Sequence, residues 1–194
     1  MNMDSLESVA IEPDLIRRLT RREYHEMYRA GLFEDERVEL LYGQLVVMSP
    51  TDPSHDESTA TLDERLKAQL GGRARVRVQS SFAAADDSEP MPDIVVTPAG
   101  TYWTDHPSRA FLIVEVSRSS LRKDRGVKAK LYGEVAVDEY WIVDVDGGCV
   151  HVLRDPDRRG QWQSQTIARR GETLAVAAFP DVTIAVDDIL PPIS

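Results

Sequence analysis

Residues 111–145 read FLIVEVSRSSLRKDRGVKAKLYGEVAVDEYWIVDV, and the order of patterns in them decides the fold class. The β-branched apolar run Phe111–Val116 predicts a buried strand, the stretch from about Asp124 to Val135 a helix, and Glu139–Val145 a second strong strand. Upstream, prolines lead into a strand at Asp93-Ile94-Val95-Val96, and Arg75–Gln79 (RVRVQ) alternates basic and apolar residues, as a strand with one wet face does. Between Asp52 and Leu70, Pro53 suits the first helical position, and Leu62, Leu66 and Leu70 fall on one stripe before Gly71-Gly72 stops the helix. Val38–Met48 (VELLYGQLVVM) predicts a hairpin turning at Tyr42-Gly43-Gln44. Thr20-Arg21-Arg22-Glu23 has capping-box spacing and predicts a helix from about Arg21 to Ala30, with Tyr24, Met27 and Tyr28 as its apolar stripe and Gly31 as terminator. Downstream, Asp146-Gly147-Gly148 turns into Cys149–Leu153, and strand-like pieces follow at Trp162–Ile167 and Val182–Val186. The class is α/β around one mostly β core.

The chain has 194 residues, 33 acids against 23 lysines and arginines, and a formal charge of −10. That length suits a single domain over 16–194, preceded by a flexible leader over 1–15 that lacks periodicity. Cys149 is the only cysteine, which excludes a disulfide within the chain and any multi-cysteine zinc site. No run approaches the roughly 18 apolar residues of a membrane span, and the N-terminus carries acids where a signal peptide carries bases. A cytoplasmic location without membrane attachment is the expectation. The acidic balance opposes nonspecific attraction to phosphate backbones, so a nucleic-acid partner requires a local site.

Glu115 is the most informative residue, because a lone carboxylate in a buried strand must be satisfied by a cation, a donor or a metal. Period-2 alternation places Phe111, Ile113, Glu115 and Ser117 on one face. Asp93, at the entrance of the preceding strand, is either a turn residue or a second acid converging on Glu115 if the two strands are adjacent. A shared divalent cation would relieve the repulsion, and all-oxygen ligation points to Mg²⁺ or Mn²⁺. Asp124, Lys128 and Tyr132 recur at i, i+4, i+8 on one helix face. They form either a surface ion pair beside a tyrosine or a face on which Lys128 leans over the sheet toward Glu115; Lys123 and Lys130 point elsewhere on a regular helix. His55, in DPSHDE at a helix start, is a metal or substrate contact or simply a cap. Tyr102 and Trp103 either stack on bases or anchor their loop.

These residues resemble the PD-(D/E)XK nuclease superfamily, with its restriction endonuclease-like fold, and within it the Uma-two family of endonucleases. The resemblance is carried by Pro92-Asp93, by Glu115 in IVEVS, by SRSSLRKDRGVKAKLY leading into EYWIVD, and by RVELLYGQLVVMSP, and it runs from about Leu19 to Leu190. It implies a mixed β-sheet flanked by helices, with the N-terminal helix and hairpin as additions. It also implies a metal site of Asp93, Glu115 and Glu39, and catalysis by Asp93, Glu115 and Lys128. Gln79 resembles the polar residue that ends the first core strand in such folds. The pattern departs at position 117, where serine stands in place of lysine, so the lysine must come from the helix.

The expected function is Mg²⁺-dependent endonuclease action on nucleic acid, DNA foremost, with a homodimer as the expected assembly. A catalytically silent nucleic-acid- or protein-binding module is the alternative, in which Glu115 and Lys128 form an internal salt bridge. A metal-dependent hydrolase of a small phosphorylated molecule is a third class. For phosphate contacts, Arg73, Arg75 and Arg77 form the densest basic strand, and Arg118, Arg122, Lys123 and Arg125 cluster beside the site.

Overall fold

A computed structural model describes residues 15–192. The expected leader therefore lies outside the described residues, apart from Leu15, which is exposed. The elements are α1 (Arg21–Arg29), β1 (Val38–Leu41), β2 (Gln44–Val47), α2 (Pro53–Leu70), β3 (Ala74–Val78), β4 (Ile94–Pro98) and β5 (Leu112–Ser117). A helical segment follows, made of α3 (Leu121–Lys123), a π turn (Asp124–Lys128) and α4 (Ala129–Glu134). Then come β6 (Glu139–Asp144), β7 (Cys149–Pro156), β8 (Trp162–Arg169), β9 (Thr173–Val176), β10 (Phe179–Ala185) and a 3₁₀ turn (Val186–Ile189).

Strands β3-β4-β5-β6-β7-β8 form one sheet in chain order. Only β5 and β6 are parallel. A parallel pair needs a crossover rather than a hairpin, and the helical segment between Leu121 and Glu134 supplies it. The architecture is the mixed α/β fold that the resemblance implies. The six-stranded sheet separates two apolar layers. On one face Leu62, Leu66 and Leu70 of α2 pack on Val96, Leu112, Val114 and Trp141. On the other, Tyr132 packs with Phe82, Val95, Ile113, Tyr140 and Ile142. Alternation along β5 thus assigns Ile113 and Glu115 to the α4 side.

Local chemistry explains the boundaries. Thr20 and Glu23 close a full capping box on α1, and Asp52 caps α2 by accepting from the Ser54 and His55 N–H groups. The β1–β2 hairpin turns through Tyr42 and Gly43 at φ 50° and 73°. Two left-handed residues suit a two-residue turn, and a Cβ on Gly43 would stand 2.4 Å from Arg18 Cβ. Two expectations need correction. Tyr28 is 65% exposed and only Tyr24 of the α1 stripe is buried, because the short helix meets the hairpin along one line. Strand β9 was unpredicted. Its four residues alternate weakly, and pairing with β10 is what makes them a strand.

Candidate active site

Glu115 and Asp93 meet because β4 and β5 pair antiparallel, with Ile94 opposite Val114. Continuing that register by one residue sets Asp93 across from Glu115. Asp93 Oδ2 accepts the Val116 N–H at 2.8 Å, which fixes the carboxylate against β5. Its Oδ1 lies 3.1 Å from His55 Nε2, brought there by the N-terminal turn of α2. Burial lowers the His55 pKa, but the contact with Asp93 outweighs it and the net direction is upward.

Lys128 Nζ donates to Glu115 Oε1 at 2.8 Å and lies 3.0 Å from Glu39 Oε2. Tyr132 donates its hydroxyl to the same Glu115 oxygen at 2.8 Å. Lys128 is only 2% exposed. Burial disfavours its charge, yet Glu115 and Glu39 outweigh burial and raise its pKa. Burial pushes the Glu115 carboxyl well up; Lys128 offsets part of this, while Asp124, Asp93 and Glu39 reinforce it. Glu39 is also fully buried, but Lys128 and Lys123 overcome the desolvation and lower its pKa. Its oxygens face Lys123 Nζ at 2.8 Å, Lys128 Nζ and the Met91 N–H at 3.2 Å.

Lys123 corrects the sequence reading, which directs it away from Lys128. On an α-helix residues five apart diverge, but a π turn closes i→i+5 and brings them to one side. Here the Ala129 N–H bonds back to the Asp124 carbonyl, and Lys123 and Lys128 both reach Glu39. Lys130 does point elsewhere, over the Tyr42 ring. Asp124 is buried on the same face. Its Oδ2 accepts from the Ser117 hydroxyl at 2.6 Å and from the Ser120 hydroxyl, while its Oδ1 is buried without a partner.

These groups line a cleft of ≈ 230 Å³ that includes Asp93, Glu115, Asp124, His55, Gln79 and both lysines. Gln79 directly follows β3 at φ 41°, a left-handed conformation that is uncommon outside glycine. Glu39 lies behind the cleft rather than on its wall. Arg37, Arg118 and Lys123 supply positive charge along the wall. Arg73 instead pairs with Asp181 and Arg77 stacks over Tyr102, and none of Arg73, Arg75 and Arg77 lines this cleft.

Residues 21–187 match the family Uma2, described as "Putative restriction endonuclease". The chain belongs to the Uma2 family. Among solved structures, this Uma2 member is similar to a "putative nuclease belonging to DUF820" from Anabaena variabilis, with a TM-score of 0.68 and 14% identity over 88% of this chain and 97% of that one. At that identity the likeness concerns the fold. A slighter likeness, TM-score 0.41 and 18% identity, links 62% of this chain to 14% of the type IIG restriction endonuclease BpuSI. No curated protein matches the chain. No helix among the described residues is long and apolar enough to cross a membrane.

Sequence reasoning missed Ser120 and undervalued Lys123 in this Uma2 member. The signal available was the five-residue interval between Lys123 and Lys128, with Gly126 inside it; glycine tolerates departures from regular helix.

Proposed function

We propose that this Uma2 protein is a divalent-metal-dependent endonuclease that hydrolyses phosphodiester bonds in DNA. The observation that carries the reading is the state of Glu115. One oxygen of this buried carboxylate is held by Lys128 and Tyr132, and the other has no protein partner among the described residues and belongs to the cleft wall. The donor set fits a hard cation: Asp93, Glu115 and the orphaned Asp124 Oδ1 are all oxygen donors. Asp124, Asp93 and Glu39 each disfavour the ionised form of Glu115, a repulsion among the acids that a doubly charged ion would offset. Asp93 and Glu115 would hold Mg²⁺ or Mn²⁺, with Asp124 as a further donor. Such an ion, when bound, polarises a phosphate and lowers the pKa of a coordinated water.

The chain's own residues supply the rest. Hydrolysis forms a bond from a water oxygen to phosphorus and breaks the bond to one ester oxygen, which departs with a proton. Lys128, kept protonated between Glu115 and Glu39, places positive charge where the phosphoryl oxygens gain negative charge. Lys123, 25% exposed at its side chain, and Arg37 and Arg118 on the cleft wall contact flanking phosphates. Glu39 in this scheme positions both lysines, because its oxygens are engaged by them. His55 steadies Asp93. The decisive experiment is cleavage of single- and double-stranded DNA at increasing Mg²⁺ or Mn²⁺ by the wild type and Asp93→Asn, alongside calorimetric ion binding. Ion-dependent cleavage by the wild type and none by the variant supports the reading; equal behaviour overturns it.

One observation favours a second reading, a silent binding module. The Lys128–Glu115 contact at 2.8 Å is an internal salt bridge in a nearly inaccessible position. On that reading the wild type retains DNA in a salt-dependent manner without cleaving it at any ion concentration.

A further inference from the structure

A second cluster of ligand-type side chains lies outside the carboxylate cleft. Glu89 is 2% exposed, in the segment that bridges to β1 by exchanging backbone hydrogen bonds with Leu40. Arg21 Nε donates to its Oε2 at 2.7 Å, and a second Arg21 nitrogen donates to Asp105 at 2.8 Å. That anchors one carboxylate oxygen and leaves Oε1 toward two imidazoles. His25, from α1, places Nε2 2.9 Å from Oε2 and 3.0 Å from Oε1. His106, from the loop between β4 and β5, places Nε2 3.6 Å from the same oxygen.

His106 is the anomaly. At 3.6 Å its Nε2 is too far for a hydrogen bond, and its Nδ1 is buried with no partner, so neither ring nitrogen is satisfied by the side chains around it. The neutral imidazole is the form that binds metal. Bonds of about 2.0 to 2.2 Å at tetrahedral angles separate ligand atoms by roughly 3.4 Å, and the two distances to Oε1 bracket that value. One donor atom from each of the three residues lies within 4.8 Å of the others.

We propose that His25, Glu89 and His106 form a second metal site, selective for zinc-class transition ions and separate from the carboxylate cleft. Two imidazoles and one carboxylate suit Zn²⁺ better than Mg²⁺. Three protein ligands leave a tetrahedral ion one open position. The adjoining cleft of ≈ 480 Å³, bounded by Tyr28, Tyr102 and Trp103, is where water or an anionic ligand completes the shell. The ion would tie α1 and the loop bearing His106 to the segment paired with Leu40, one residue from Glu39. A rival cluster, Asp144, Cys149 and His151, has its sulfur 4.0 Å from the imidazole nitrogen, and a cysteine variant separates the two clusters.

The test is Zn²⁺ calorimetry and Co²⁺ visible absorption on the full chain, comparing wild type, His25→Ala, His106→Ala and Cys149→Ser. Both histidines are partly exposed, so their alanine variants should fold; circular dichroism and a thermal midpoint check this. The expected result is zinc binding in the wild type, weakened roughly tenfold or more in each histidine variant and retained in Cys149→Ser. The Co²⁺ spectrum should lack a thiolate charge-transfer band. Absence of binding to the wild type, equal affinity in the histidine variants, or loss in Cys149→Ser overturns the proposal. Because Asp93→Asn is the variant that tests the nuclease reading, failure of one proposal is distinguishable from failure of the other.

Discussion

Glu115 and Glu139 are buried glutamates on adjacent strands of the same sheet, facing opposite layers, and their surroundings differ. Glu139 Oε1 accepts from Trp141 Nε1 at 2.8 Å and Arg154 Nε at 2.7 Å, and its Oε2 accepts from the Ala177 N–H at 2.7 Å. Both oxygens are engaged, and the acid fastens β6 to β7 and to the residue after β9. Glu115 has donors on one oxygen only, and its other oxygen belongs to a cleft wall that also holds Asp93 and Asp124. Burial of an acid is common to a brace and a site. What separates them is whether the protein completes the hydrogen bonding or leaves it for something else.

The largest effects should break this comparison outright. Asp93→Asn or Glu115→Gln should lower ion-dependent DNA cleavage per folded molecule by roughly 10³-fold; full activity in either variant would remove the site. Lys128→Met should leave Glu115 and Glu39 without their shared cation and cost about 3 to 5 kcal/mol of stability, measured by urea unfolding. A midpoint equal to wild type would show that the buried pair contributes nothing. Glu139→Gln should destabilise by about 2 to 3 kcal/mol through weakened charge-assisted bonds while cleavage per folded molecule stays at the wild-type level; lost cleavage in well-folded protein would make Glu139 more than a brace.

A partly exposed carboxylate sharpens the contrast at the small end. Glu23 closes the capping box of α1, and the Thr20 backbone N–H, Arg17 and the Thr20 hydroxyl together lower its pKa to about 2 from the ordinary 4.5. A depressed carboxylate stabilises the folded form above its ordinary pKa, so this contribution is complete above about 4.5 and disappears as pH falls toward 2. Carbon-detected titration of Glu23 should follow that window, and an undisturbed titration near 4.5 would show the cap to be open in solution. Thr20→Ala should cost about 1 kcal/mol.

Much of the scaffold was legible because local rules and burial agreed. The leucine stripe of α2, Asp52 with Pro53 at its start, the Tyr42-Gly43 turn and the alternation along β5 each have one satisfactory solution. Asp93 and Glu115 stood out because acids at those strand positions lack a local partner. Lys123 was misjudged because a regular 3.6-residue period was assumed where a π turn occurs, and nothing in DRGVK demands that turn. Tyr28 was misjudged because stripe membership does not say how wide a surface the helix meets. His25, Glu89 and His106 were invisible as a set, since they stand 64 and 17 residues apart in the chain.

By itself the sequence determined the kinds of element, their order, the face on which Glu115 lies and the family, because these follow from periodicity, capping and motif, all short-range in the chain. Only the tertiary structure decided which acids are completed by donors and which are left open. Donors such as the Ala177 N–H on Glu139, or Lys123 on Glu39, come from segments whose distance in sequence carries no information about their approach. Hydrogen bonding acts over about 3 Å, so satisfaction of a buried charge is settled only when the chain has folded.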